Sequence, residues 1–156
     1  MIRPQTKALD LTHFPLVVLV LPPTLDSSYA DVLEADTQAV LGMRAQYVSV
    51  SDATGVSGMS DAKTRKRMGE WAKSREDDFK RWQVANALYV GSGIVRAGIS
   101  AVHWFAPPVV PTVVETDLGV ALDFLRGHAA RAGIDTAGVD AYALARRARL
   151  SGTGGR

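Results

Sequence analysis

The eight residues from Phe14 to Leu21 (FPLVVLVL) are β-rich and apolar at nearly every position, and Pro22-Pro23 follow them directly. A strand with one face in water alternates apolar and polar side chains. One that lacks the alternation has to be covered on both faces. This segment is therefore expected to be a central strand. It is far shorter than the roughly 20 residues that cross a bilayer, and prolines punctuate it, so no membrane span is expected. The residues before it include Asp10 and lack the basic, apolar, small-residue order of a secretory signal, which makes the cytoplasm the expected compartment.

The remaining elements follow from periodicity and punctuation. Lys7 to Leu11 reads as a short edge strand. Asp26 to Ser28 supply capping side chains for a first helix on which Tyr29, Val32, Leu33 and Val40 share a face. Gln46 to Ser51 alternates Tyr47, Ser49 and Ser51 with Val48 and Val50, as a strand does, and stops at Asp52-Ala53-Thr54-Gly55. From Asp61 to Trp82 the spacing of Met68, Trp71, Ala72, Phe79 and Trp82 predicts one long helix. The opposite charges Lys66/Glu70, Lys73/Asp77 and Asp77/Arg81 are set four apart along it.

Val84 to Val90 predicts a strand, Gly91-Ser92-Gly93 a turn, and Val95, Gly98, Ile99, Val102 and Phe105 one face of a helix that Pro107-Pro108 ends. Val109 to Thr116 is a further β-branched strand, and Asp117 caps a helix carrying Leu118, Ala121, Leu122 and Leu125. Strands alternating with helices imply right-handed crossovers and a largely parallel sheet. The expectation is thus an α/β domain over residues 1–133, with four or five mostly parallel strands and about four helices. Residues 134–156 would form a basic tail or a short helix from Val139 to Leu150.

With 156 residues and 47% hydrophobic content, the chain suits one core that buries about two-thirds of the unfolded surface. The absence of cysteine excludes disulfides, thiolate metal sites and a cysteine nucleophile. The net charge of +2 is unevenly placed: residues 1–125 carry 12 basic and 14 acidic side chains, whereas residues 126–156 carry six arginines against Asp135 and Asp140. A basic end of this kind suits an acidic contact or serves only as solubilising charge. The basic residues of the body are interleaved with Glu70, Glu76, Asp77 and Asp78, which gives nucleic acid little support.

Three segments, in order, carry a family resemblance. Leu16-Val17-Val18-Leu19-Val20-Leu21 followed by Thr24-Leu25-Asp26-Ser27, then Asp52-Ala53-Thr54-Gly55-Val56, then Tyr89-Val90-Gly91-Ser92 resemble the strand ends and turns of the STAS domain. This is the fold of bacterial anti-sigma-factor antagonists and their SpoIIAA-like relatives, and the likeness runs from about Leu16 to Leu125. The resemblance implies a non-catalytic regulatory or scaffold module that binds a protein partner, often under control of a phosphorylated serine at the start of the second helix. Aligning Asp52 to Val56 without gaps puts Asp61 at that serine's place and Ser60 one residue earlier. A looser likeness of SpoIIAA-like domains to lipid-binding domains of the Sec14 type makes a carrier of a small apolar or lipid-like ligand the alternative. A self-associating structural subunit is the third reading.

Candidate partner-binding residues follow, each beside a plainer role. Ser60 and Asp61 form a docking surface or simply cap the helix. Arg96, Ser100 and His103 line one stripe of the third helix, which solvent exposure alone also explains. Trp104, with Phe105 and Pro107-Pro108, forms an exposed apolar patch or part of the core. Arg146, Arg147 and Arg149 make a docking helix or a soluble end. No HExxH, GxSxG, GxGxxG or Walker-type lysine occurs, and His13, His103 and His128 sit on separate elements. Neither a cofactor, a metal nor catalysis is therefore expected.

Overall fold

The computed structural model describes residues 2–58, 60–92 and 108–152. Five strands form one mixed sheet in sequential order: β1 (Leu9–Asp10), β2 (Leu16–Val20), β3 (Tyr47–Asp52), β4 (Gln83–Tyr89) and β5 (Thr112–Glu115). β1 is antiparallel to β2 and the other pairs are parallel. The described helices are α1 (Ser27–Gly42), α2 (Ala62–Ser74), α3 (Glu76–Trp82), α4 (Leu118–Arg131) and α5 (Ala137–Gly152). The helix expected between Val95 and Phe105 lies outside the described residues.

The unbroken apolar run of β2 is covered on both sides, with Leu16 to Leu19 all buried. Leu16 and Val18 align with Val48 and Val50 of β3, which align with Ala85 and Ala87 of β4. These residues meet Ala121, Leu122, Leu125 and Ala129 of α4 and Val139 and Tyr142 of α5 in the larger core. Alanines on both β4 and α4 let helix and strand approach closely. Val17 and Leu19 point the other way, with Leu9 and Tyr47, against Val40 and Leu41 of α1 and the partly buried Phe79 and Trp82 of α3. Leu21, Ala53, Val90 and Val114 close the carboxyl ends of the parallel strands.

Each expected cap forms. The carboxylates of Asp26, Asp61 and Asp117 accept from the backbone N–H of Tyr29, Thr64 and Val120 at 2.8, 2.8 and 3.1 Å, satisfying donors that a helix start leaves free. α1 is also tied to the edge of the sheet by buried Asp36. A single oxygen, Oδ2, accepts the N–H groups of Lys7, Ala8 and Leu9 at 2.5 to 3.0 Å.

The single helix expected from Asp61 to Trp82 is two, broken at Arg75 (φ −110°, ψ 13°). Ser74 Oγ turns back to the Trp71 carbonyl at 2.6 Å, and Glu76, Asp77 and Asp78 occupy the first turn of α3, where negative charge stabilises a new helix start. Of the expected ion pairs only Lys66–Glu70 forms, at 3.9 Å; beyond the break Arg75 pairs with Asp78 and Lys80 with Glu76. α5, sixteen residues long, lies on the sheet and places Val139 and Tyr142 in the larger core. It approaches so closely that a Cβ at Gly138 would stand 2.0 Å from the His13 carbonyl oxygen.

Candidate ligand cavity beneath the second helix

Because side chains alternate along a strand, Tyr47, Ser49 and Ser51 of β3 all face the layer of α1, α2 and α3. Register places Asn86 of β4 beside Ser49. The Ser49 hydroxyl donates to Asn86 Oδ1 at 2.9 Å and accepts from Gln83 Nε2 at 2.6 Å, making a polar ladder on an otherwise apolar sheet face. Above it is a cavity of about 250 Å³. Its walls are Leu33 and Val40 of α1, Met68, Trp71 and Ala72 of α2, and Phe79 of α3; the sheet below contributes Val17, Leu19 and Tyr47 beside the polar Ser49, Ser51, Gln83 and Asn86.

The roof is built by the break at Arg75. It turns α3 back over β4 and sets Trp71 edge-on to Phe79, ring centroids 6.0 Å apart at 81°. α2 itself is seated mainly on α1 and buries only Thr64. Arg67 fastens it, contacting Asp31 and lying 2.9 Å from Glu34 Oε2. These two carboxylates hold the guanidinium charged, raising its pKa, the Glu34 contact contributing most. Glu34 also lines the cavity, and its Oε1 is buried without a hydrogen-bond partner. At the cavity base burial pushes the Tyr47 phenol well above the usual tyrosine range.

The expected docking residues are dispersed. Ser60 is buried, and its carbonyl accepts from the Arg65 guanidinium. Asp61 is exposed, but its carboxylate is used as the cap of α2: bonds from the Thr64 N–H and, at 2.9 Å, the Thr64 hydroxyl hold its pKa below the usual carboxylate range. Arg146 turns inward and lies 3.4 Å from Asp52, whose carboxyl is buried and also accepts from the N–H and hydroxyl of Thr54. Arg147 and Arg149 are exposed. A smaller cavity of about 130 Å³ between α5 and the first two strands brings Asp10, His13, Tyr142, Arg146 and Arg149 together. Arg96, Ser100, His103 and Trp104 lie outside the described residues.

None of the cavity residues was among the sequence candidates. The one signal present was the Ser49/Ser51 alternation, which places hydroxyls on a strand whose two faces are both covered. Among the described residues, no three His, Asp or Glu side chains converge as a metal site, and no helix is long and apolar enough to cross a membrane. The exposed large apolar side chains are spread over the N-terminal arm (Ile2), the end of β2 (Val20), α4 (Val120) and α5 (Leu144, Leu150). No protein-family model, no curated protein and no solved structure matches this chain.

Proposed function

We propose that the domain binds a small, largely apolar molecule between its sheet and the α1–α3 layer. One observation carries this reading: about 250 Å³ stands open on this sheet face, between largely apolar walls and a floor that carries four polar side chains. An apolar cavity of about 150 Å³ accepts benzene, so by the same ratio this one has room for a molecule of about ten non-hydrogen atoms. A few placed polar groups in an apolar pocket fix the orientation of what enters.

The test is titration with toluene, followed by amide chemical shifts of the ¹⁵N-labelled protein. Shifts should concentrate on Ser49, Trp71, Phe79 and Asn86, and Ala72→Phe, which extends a ring into the space, should abolish them. Shifts scattered over the surface, or unchanged in the Ala72→Phe protein, would refute the cavity as the site.

The STAS-like reading, a regulatory protein-binding module, is second. It is favoured by Asp61, exposed and ionised at the start of α2, where the resemblance locates the regulated position. Asp61→Arg should weaken capture of a partner, and unaffected capture would remove that surface.

A further inference from the structure

We infer that the cavity selects molecules bearing a hydroxyl or amide group over carboxylates, a conclusion that rests on the ligand-binding reading above. The first ground is the state of the floor. The ladder uses the Gln83 amide nitrogen, the Ser49 hydroxyl and the Asn86 amide oxygen. An amide has a second end, so an acceptor on Gln83, a two-hydrogen donor on Asn86 and the hydroxyl of Ser51 remain for a guest. Donor and acceptor side by side match a group that does both, such as a phenol, an alcohol or a carboxamide. Glu34 Oε1, buried without a partner, adds a further acceptor at the wall.

The second ground is charge. Among the described residues, no lysine, arginine or histidine lines the cavity, and the one lining carboxylate is Glu34. The cation paired with Glu34, Arg67, lies outside the lining and is shared with Asp31, so the three groups together carry −1. An entering carboxylate would lose its water, find no counter-charge and meet a net negative wall. Desolvation alone shifts such a group toward its neutral form or keeps it out. A fatty acid or aromatic acid is thus excluded by repulsion, which supplies specificity that apolar walls cannot. A neutral guest loses only hydrogen bonds to water, and the floor replaces them.

Three probes of one shape separate these terms: toluene, p-cresol and p-toluate, titrated by calorimetry at pH 7 against the full chain. p-Cresol should bind at least fivefold more tightly than toluene, and p-toluate at least tenfold more weakly than p-cresol. In Asn86→Leu and, separately, Gln83→Met, the advantage of p-cresol over toluene should shrink to within twofold while toluene still binds. p-Toluate binding as well as p-cresol, or p-cresol no better than toluene, overturns the selectivity and leaves the cavity reading standing. Failure of all three probes to bind overturns both.

Discussion

Replacing Asp36 by alanine should cost far more than a helix-surface substitution, because its Oδ2 gathers three backbone donors from the strand edge. The three are not equivalent. Leu9 is buried, so its N–H cannot turn to water; Lys7 is exposed and Ala8 only partly covered, so theirs can in part. A buried donor left without a partner costs about 1–3 kcal/mol, and each of the two bonds that water can replace about 1 kcal/mol. The sum is about 3–5 kcal/mol, which in a chain of this length lowers the melting temperature by about 10 °C. Asparagine separates the acceptor from the charge. All three bonds fall on one oxygen, and an amide oxygen can stand in its place, so Asp36→Asn should cost only about 1–2 kcal/mol. Urea unfolding followed by far-ultraviolet circular dichroism measures both. A loss below about 1 kcal/mol in the alanine variant, or equal losses in the two variants, would refute the three-donor account.

Other perturbations test separate parts of the fold. Gly138→Ala normally favours a helix by about 1 kcal/mol, but here the added Cβ meets the His13 backbone at 2.0 Å. A net loss of about 3 kcal/mol is expected on denaturation, and a stabilised variant would contradict the close approach. Arg146→Ala strips the buried Asp52 carboxylate of its cation and should cost about 2–3 kcal/mol, whereas Arg147→Ala on the exposed face should stay within about 0.5 kcal/mol; equal melting temperatures would deny the inward turn. His128 packs against Phe124 with ring centroids 4.5 Å apart and planes tilted by 54°, and burial, then the nearby Arg131, lowers its pKa from the ordinary value of 6.5. The unfolded chain therefore binds the proton more readily. Stability should fall as pH drops below about 6.5 and level off beneath the folded pKa. His128→Gln should flatten unfolding free energy between pH 7 and 5, and an unchanged slope would assign the dependence to other groups.

The strands and caps were legible because each leaves a local mark. β2 has to be covered on both faces because none of its positions is polar, and Asp26, Asp61 and Asp117 cap helices because each precedes a helical spacing. The break at Arg75 was not legible, since Trp71, Phe79 and Trp82 keep helical spacing straight through it. Their common face turns a corner there, and only the acidic triplet Glu76-Asp77-Asp78 marks the restart. Asp36 was hidden for a different reason. One carboxylate among three on an amphipathic helix looks solvated until the chain 27 to 29 residues earlier is laid beside it. The cavity floor needed register: Ser49 and Asn86 become neighbours only when β3 and β4 align, and the sequence spaces them 37 residues apart.

Both functional readings converge on α2, which bears Asp61 at its cap and Met68 and Trp71 in the cavity wall. At about 1.5 Å of rise per residue, Asp61 and Trp71 are separated by about 15 Å along the helix, so one small guest cannot touch both. A variant that fills the cavity and also alters partner capture would therefore act through the seating of α2, not by blocking a shared surface. That seating is light: the helix buries only Thr64 and is fastened to α1 by Arg67 through Asp31 and Glu34. Ion pairs that water still reaches hold a helix weakly, so a guest that adds contacts to Met68 and Trp71 bears on the same seating that sets the position of Asp61.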